Sequence, residues 1–411
     1  MMMRNLQSIL ILAMFFTFAG LGAAHAENLF RFYPEAQING FYGDNIPIRT
    51  NNGEGDFGTA GVAGFFLDYT SAARYVTLHY DTFAQLFLQH HSLDRAGSGQ
   101  FVYASDDENL SPTTKLHFDD FFYREAPAVL TITTSDTAPQ FNSGLALILL
   151  ANDQASINQF KTTLWHDWGR RWTSEFWLHQ TTYWANGNNG SNNRTSYYQG
   201  ANGSLDYHLT SRFSLGAGFQ FFDFRSTASG LPGQQTYWPY LRTTWAPMEN
   251  VYFEGMVGVV VTHTQGMSGE QTNPAGTGQI SYNFSQRGRV SIFGGREPEV
   301  TSAFGSVGEV SSVRGNLLYD FTQRLTGTAG GGFYELDGNG FNGKFISWGV
   351  GLSDRVNKWL SVNTRFIQVR SNETGSNQFL ASGTRSGQWA VGNYYVVGLA
   401  VSIEAFRWSW Q

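Results

Sequence analysis

The chain has 411 residues, of which 14% are charged and 16% aromatic, with 47 glycines and no cysteine. A charged share this far below the ~25% of an average soluble domain leaves too little polar cover for an ordinary water-facing surface. The net charge of −6 provides no basic stripe for phosphates and so excludes nucleic acid as a partner; the lack of cysteine excludes disulfides, thiolate metal sites and a lipoprotein anchor.

The N-terminus is ordered like a secretory signal. Arg4 supplies the positive start, Ile9 to Leu21 the apolar centre, and Ala24-His25-Ala26 the small-x-small cleavage site. Residues 1–26 are therefore expected to be removed, leaving a chain from near Glu27 with 25 basic against 32 acidic residues. No later run is apolar over the ~18 residues that a transmembrane helix needs. Aromatics, glycine and scarce charge without such a helix point to a transmembrane β-barrel, in which apolar residues are spread one in two.

In the first part of the chain, Gln37–Asp44, Gly61–Tyr69 and Arg74–Gln89 read as strands, joined by a loop at Asn45–Gly58 and a turn at Thr70–Ala73. A large external loop is expected around 90–127, followed by strands near Ala128–Thr134 and Ser143–Leu150. From Ser156 the alternation is regular: Ile157–Trp168, Thr173–Trp184, Tyr198–Leu209, Phe213–Phe224, Tyr237–Trp245, Val251–Thr262 and Thr277–Phe284. It continues through Arg289–Arg296, Gly308–Asp320, Leu325–Glu335, Lys344–Leu352, Trp359–Val369 and Asn393–Ile403. Short polar turns such as Phe321–Arg324 alternate with longer Gly/Asn/Ser-rich connections such as Gln265–Gly276 and Glu297–Val307. Outer-membrane barrels have short periplasmic turns and long external loops, so both termini are expected on the periplasmic side. An even count then gives an all-β, antiparallel up-and-down barrel of about eighteen strands, sixteen being the next possibility.

A period of two sends successive side chains to opposite faces. One set is apolar: Phe213/Leu215/Ala217/Phe219, Val251/Phe253/Val257/Val259, Ile280/Tyr282/Phe284, Ile346/Trp348/Val350/Leu352 and Leu360/Val362/Phe366. Its neighbours are polar, as in Gln279/Ser281/Asn283, Asn202/Ser204/Asp206 and Ser361/Asn363/Arg365. The first set suits lipid and the second a water-filled lumen. Aromatics near strand ends (Trp165, Trp168 and Trp172; Trp238, Tyr240 and Trp245; Phe406, Trp408 and Trp410) read as interfacial girdles.

No catalytic constellation is legible, and no cofactor or metal site. His79, His90, His91, His117, His166, His179, His208 and His263 form no recognisable spacing with serines or acids. Asp119-Asp120-Phe121-Phe122-Tyr123-Arg124-Glu125 reads as part of the external loop, either folded inward to narrow a pore or simply packed. The acidic-Gly stretches Asn51–Asp56 and Glu335–Asn339 lack the ligand spacing of a calcium loop. Alternation instead assigns charges to the lumen: Asp81, Lys161, Glu175, Asp206, Arg242, Glu254, Arg314, Arg365 and Glu404, with both signs present. Trp177, Tyr252, Tyr334 and Phe345 alternate inward too, where rings either stack on sugars or fill space near the barrel ends.

The turns Tyr207-His-Leu-Thr-Ser-Arg-Phe213 and Tyr319-Asp-Phe-Thr-Gln-Arg-Leu325, each feeding a small-residue strand, carry a resemblance. With Trp165–Trp184 and the hairpin at Asp354–Trp359, they are similar to outer-membrane β-barrel porins found with exopolysaccharide and exosortase-type systems. The likeness covers most of the chain after Ala155 and fades before it. It implies a Gram-negative outer-membrane conduit for a secreted polysaccharide, served by a periplasmic polysaccharide-export protein, and it carries over no site residues. One departure is that Gln411 follows the last aromatic, Trp410. Two other readings share the fold: a passive porin for small nutrient solutes, and a sheath around a partner protein.

Overall fold

The computed structural model describes residues 28–44, 55–89, 95–124, 154–169, 171–186, 194–227, 232–266, 269–301, 306–338, 341–375, 390–403 and 406–410. They form one antiparallel sheet. Its first strands are β1 (Asn28–Gly43), β2 (Asp56–Thr70), β3 (Arg74–Phe87), β4 (Arg95–Ser111), β5 (Thr114–Arg124), β6 (Gln154–Asp167) and β7 (Trp172–Asn186). The middle is β8 (Arg194–Thr210), β9 (Phe213–Ser226), β10 (Gln234–Met248), β11 (Val251–Thr264), β12 (Glu270–Ser285) and β13 (Gly288–Thr301). The last are β14 (Ser306–Asp320), β15 (Leu325–Gly338), β16 (Phe341–Arg355), β17 (Leu360–Gly375), β18 (Ala390–Ser402) and β19 (Phe406–Trp410). Each pairs with its sequence neighbours, and β1 closes the circuit by pairing with β2 on one edge and with β18 and β19 on the other. β18 and β19 share one position against β1, so the molecule is a closed barrel of eighteen staves. Closure leaves no edge whose backbone groups would lie unpaired in hydrocarbon.

The two faces separate as the alternation requires. Leu215, Phe219, Leu241, Val257, Val259, Ile280, Ile292, Val313, Leu317, Val350 and Leu399 are large, apolar and exposed. Asn39, Gln85, Asn202, Ser204, Asp206, Ser214, Gln220 and Ser281 are polar and buried. That is the reverse of a water-soluble protein. The buried face is the concave one, because Arg242 on β10 reaches Glu175 on β7 at 3.0 Å. Three strand spacings of ~4.8 Å separate those backbones, and only side chains converging on the inside of a curve bridge them.

Several expectations need correction. Arg95–Ser111 and Thr114–Arg124, placed in an external loop, are strands β4 and β5. β5 pairs directly with β6, from Thr114↔His166 to Arg124↔Ser156, so these two strands fill the positions assigned to 128–134 and 143–150. The latter segments lie outside the described residues, as do 1–26. The pattern misleads here because the outer face of β4 and β5 carries acids. Asp106 is held by Arg74 at 2.5 Å, and Asp120 accepts from Asn158 Nδ2 at 2.7 Å. Strands also run further from the short turns than expected: Glu270–Gly276 and Glu297–Thr301 belong to β12 and β13, not to loops. Past the apolar belt both faces meet water, so polarity stops alternating while pairing continues. Finally, Trp238 and Tyr240 are not girdle residues; they face the interior and are 2% and 4% exposed. Trp168, Trp172, Trp245 and Trp359 do stand exposed beside the short turns.

Candidate functional site

The inner wall is the candidate site, and its most connected cluster centres on Arg242. Glu175 (β7), Asp206 (β8), Arg242 (β10) and Glu254 (β11) come from four strands and converge because each is inward by parity. Arg242 Nη1 lies 3.0 Å from Glu175 Oε2 and 3.8 Å from Asp206 Oδ2, while Nη2 lies 3.5 Å from Glu254 Oε1. Tyr252 donates its hydroxyl to Glu254 Oε2 at 3.3 Å. Three carboxylates around one guanidinium leave an excess of negative charge, attractive to cations and repulsive to anions. On β9 between them, Gly216 provides the room: a Cβ there would lie 2.0 Å from Asp206 Oδ1.

Further from the short turns the same wall becomes aromatic. Tyr198 and Phe222 stack at 5.1 Å, with Trp177 against Phe222 and Phe224 completing the group. Beside them Trp238, Tyr240, Val260 and Ala275 pack with Met256, and Tyr240 donates to Asn202 Oδ1 at 2.7 Å. The order is set by the sequence. Along β8 the inward residues run Tyr198, Gly200, Asn202, Ser204, Asp206, from aromatic through neutral polar to charged as the short turn nears.

Elsewhere the cations lie over rings. Lys161 Nζ is 5.6 Å from the Trp177 ring centre, and the Arg314 guanidinium is 4.1 Å from that of Phe293. Such placement sets each cation against the electron-rich face of a ring. Arg365 stands opposite Gly351 on the inward register. Tyr334 is half-buried, Phe345 is buried at 3%, and Tyr252 is 40% exposed. Glu404 lies outside the described residues.

Sequence reasoning missed the partners. His79 Nε2 lies 2.8 Å from Asp81 Oδ2 and 2.8 Å from Glu35 Oε1 on β1. His117 meets Asp107 at 2.7 Å and Asp119 at 3.2 Å. Asp119 to Arg124 therefore belong to the barrel wall, not to a loop folded into a pore. His166, His208 and His179 hydrogen-bond Thr114, Thr173 and Thr181. Of the acidic-Gly stretches, Asp56 accepts the backbone N–H of Gln89 at 3.0 Å, and Glu335 pairs with Lys344 at 2.9 Å. Both carboxylates already hold partners within the sheet.

An oil-facing exterior, a polar interior and a closed antiparallel circuit define a membrane-spanning β-barrel. No family model and no curated protein matches the chain. Among solved structures, OccK2 (OpdF) of Pseudomonas aeruginosa is similar over 92% of this chain and 98% of its own, at 10% identity and a TM-score of 0.45. OpdK of the same organism is similar over 90% and 99%, at 11% identity and a TM-score of 0.44. The ferric-catecholate import receptor Fiu of E. coli K12 covers 90% and 81%, at 8% identity and a TM-score of 0.44.

Proposed function

We propose that this chain is a passive channel of the Gram-negative outer membrane and that its cargo is a polysaccharide leaving the cell. The observation that carries this is the composition of the inner wall. Neutral hydrogen-bonding groups that keep accessible surface (Thr277, Gln279, Ser347, Ser361, Asn363) lie on the same face as the accessible rings of Trp177 and Tyr252. Hydroxyl-rich sugars exchange hydrogen bonds with the former and lay their apolar faces on the latter. Many charges on that face pair with one another, and the net negative charge about Arg242 leaves a neutral polymer unaffected while repelling anions. The pore-lining set in this reading is Asp81, Lys161, Glu175, Trp177, Asp206, Arg242, Tyr252, Glu254, Arg314 and Arg365. The outward direction of transport and the periplasmic export partner rest on the sequence resemblance alone.

A second reading, uptake of small solutes, is favoured by the burial of Phe224 (0%), Trp238 (2%) and Val260 (2%) on the inner face. Rings packed that closely fill space and suit a narrower passage. The two readings separate in a planar bilayer and in cells. Export predicts that neutral oligosaccharides block the ion current, that Trp177→Ala shortens each block, and that deleting the gene removes surface polysaccharide. Unchanged surface polysaccharide, with current blocked by small solutes only, would leave the uptake reading standing.

A further inference from the structure

We propose that Glu35, His79 and Asp81 form a divalent-cation site on the inner wall, for which Zn²⁺ suits the donor set. Register brings the three residues together. Glu35 on β1 stands opposite Gly64 on β2, and Gly64 stands opposite Asp81 on β3, so the two carboxylates flank a glycine in one row. A Cβ on that glycine would lie 2.0 Å from the Tyr80 carbonyl oxygen and 2.1 Å from Asp81 Oδ1, so the strand packing demands glycine there and the glycine leaves the floor of the site open. His79 is two residues before Asp81 on the same strand and therefore on the same face.

The imidazole is held from both sides. Phe66, directly opposite on β2, stacks on it at 3.8 Å and 21°, and Phe101 meets it edge-on at 5.0 Å and 71°. That clamp turns Nε2 toward Glu35 Oε1 and Asp81 Oδ2, each 2.8 Å away. One ligand atom from each residue lies within 4.8 Å of the others. Donors bound to zinc at ~2.0–2.2 Å stand roughly 3.3–3.6 Å apart in a tetrahedron, so carboxylate shifts of about half an ångström complete the cage.

An independent observation points to a ligand. Asp81 is 9% exposed, and its Oδ1 is buried with no hydrogen-bond partner. An imidazolium between the carboxylates has one Nε2–H to share between Glu35 Oε1 and Asp81 Oδ2, and it leaves Oδ1 stranded. A cation held by both Asp81 oxygens meets it. Two carboxylates and a neutral imidazole carry a charge of −2, which one divalent ion cancels. With Asp81 bidentate the three residues supply four donor atoms, and an exchangeable ligand would enter as a fifth from the interior, an expansion that zinc tolerates. Imidazole with carboxylate also disfavours Ca²⁺ and Mg²⁺, which take oxygen donors. The site needs only the closed barrel and is independent of the cargo.

The test is calorimetric titration of ZnCl₂ into the chelator-treated mature barrel in detergent, with folding of each variant checked by its heat-modifiable mobility. One Zn²⁺ per chain is expected. Asp81→Asn and Glu35→Gln should each weaken binding at least tenfold, while Glu335→Gln, on the outer face, should not. Zinc K-edge absorption of the wild-type protein should show a nitrogen–oxygen shell with a single imidazole, a readout that holds even if a variant fails to fold. Absence of saturable binding, binding that survives both carboxylate variants, or a shell without imidazole would overturn the proposal.

Discussion

Ile280 and Gln279 are adjacent on β12, yet they face different media. Ile280 is 48% exposed on the outer face and stands opposite Phe253 and Ile292; Gln279 points inward opposite Glu254. Ile280 lies five residues before Ser285, the last of β12. At a rise of ~3.4 Å per residue and a tilt of ~40°, that is ~13 Å from the strand end, near the middle of an apolar band ~25 Å tall. Arginine there should cost about 2–4 kcal/mol, a roughly 30- to 1000-fold loss in the folding equilibrium. Gln279→Arg exchanges one long polar side chain for another and sets a cation across from Glu254, so the change should stay within about 1 kcal/mol. The assay is equilibrium refolding from urea into phosphatidylcholine vesicles, followed by tryptophan emission. Equal costs at the two positions, or a larger one at Gln279, would refute the two-media reasoning.

Arg242→Met should leave Glu175, Asp206 and Glu254 facing one another without a cation. The side chain is 19% exposed and borders the lumen, so the loss should fall below the ~3–5 kcal/mol of a fully buried pair, at about 1–3 kcal/mol. The same variant should shift the reversal potential in a KCl gradient toward cation selectivity; an unchanged potential would place the cluster off the conduction path. Gly216→Val should force Asp206 away from Arg242 at a cost of about 1–3 kcal/mol, and Asp206→Ala in the same chain should recover only part of it, because the added Cβ also lies 2.8 Å from the Leu205 carbonyl oxygen. A protease site inserted between β9 and β10 should be cut in intact cells, whereas one at the turn between β6 and β7 should not. The opposite pattern would invert the barrel.

The barrel was legible wherever its two faces differ. The hairpin of β14 and β15 reads directly from the alternation of Val313, Gly315 and Leu317 with Arg314 and Asn316, and the register places Gly315 against Gly331. Alternation failed at β4 and β5, where Asp106 and Asp120 lie on the apolar parity. Their partners, Arg74 and Asn158, are 32 and 38 residues away in sequence. The inward charges followed from parity alone. Which of them touch did not, because contact depends on strand order and stagger around the circuit. Glu175 and Arg242 are 67 residues apart, and Glu35 meets His79 only because the barrel sets β1 and β3 on either side of β2. Trp238 and Tyr240 read as girdle residues because they precede a short turn. The depth of a ring along its strand is a tertiary property, and these two lie above Arg242 in the interior.

The absence of native cysteine allows the most direct test: single cysteines from Thr277 to Phe284, spin-labelled in the refolded barrel in lipid. Labels at positions 277, 279, 281 and 283 should relax with a water-soluble nickel complex, and those at 278, 280, 282 and 284 with lipid-dissolved oxygen. A period of two in both series is the predicted result. Equal relaxation by the nickel complex along the whole strand would contradict a closed wall between oil and water.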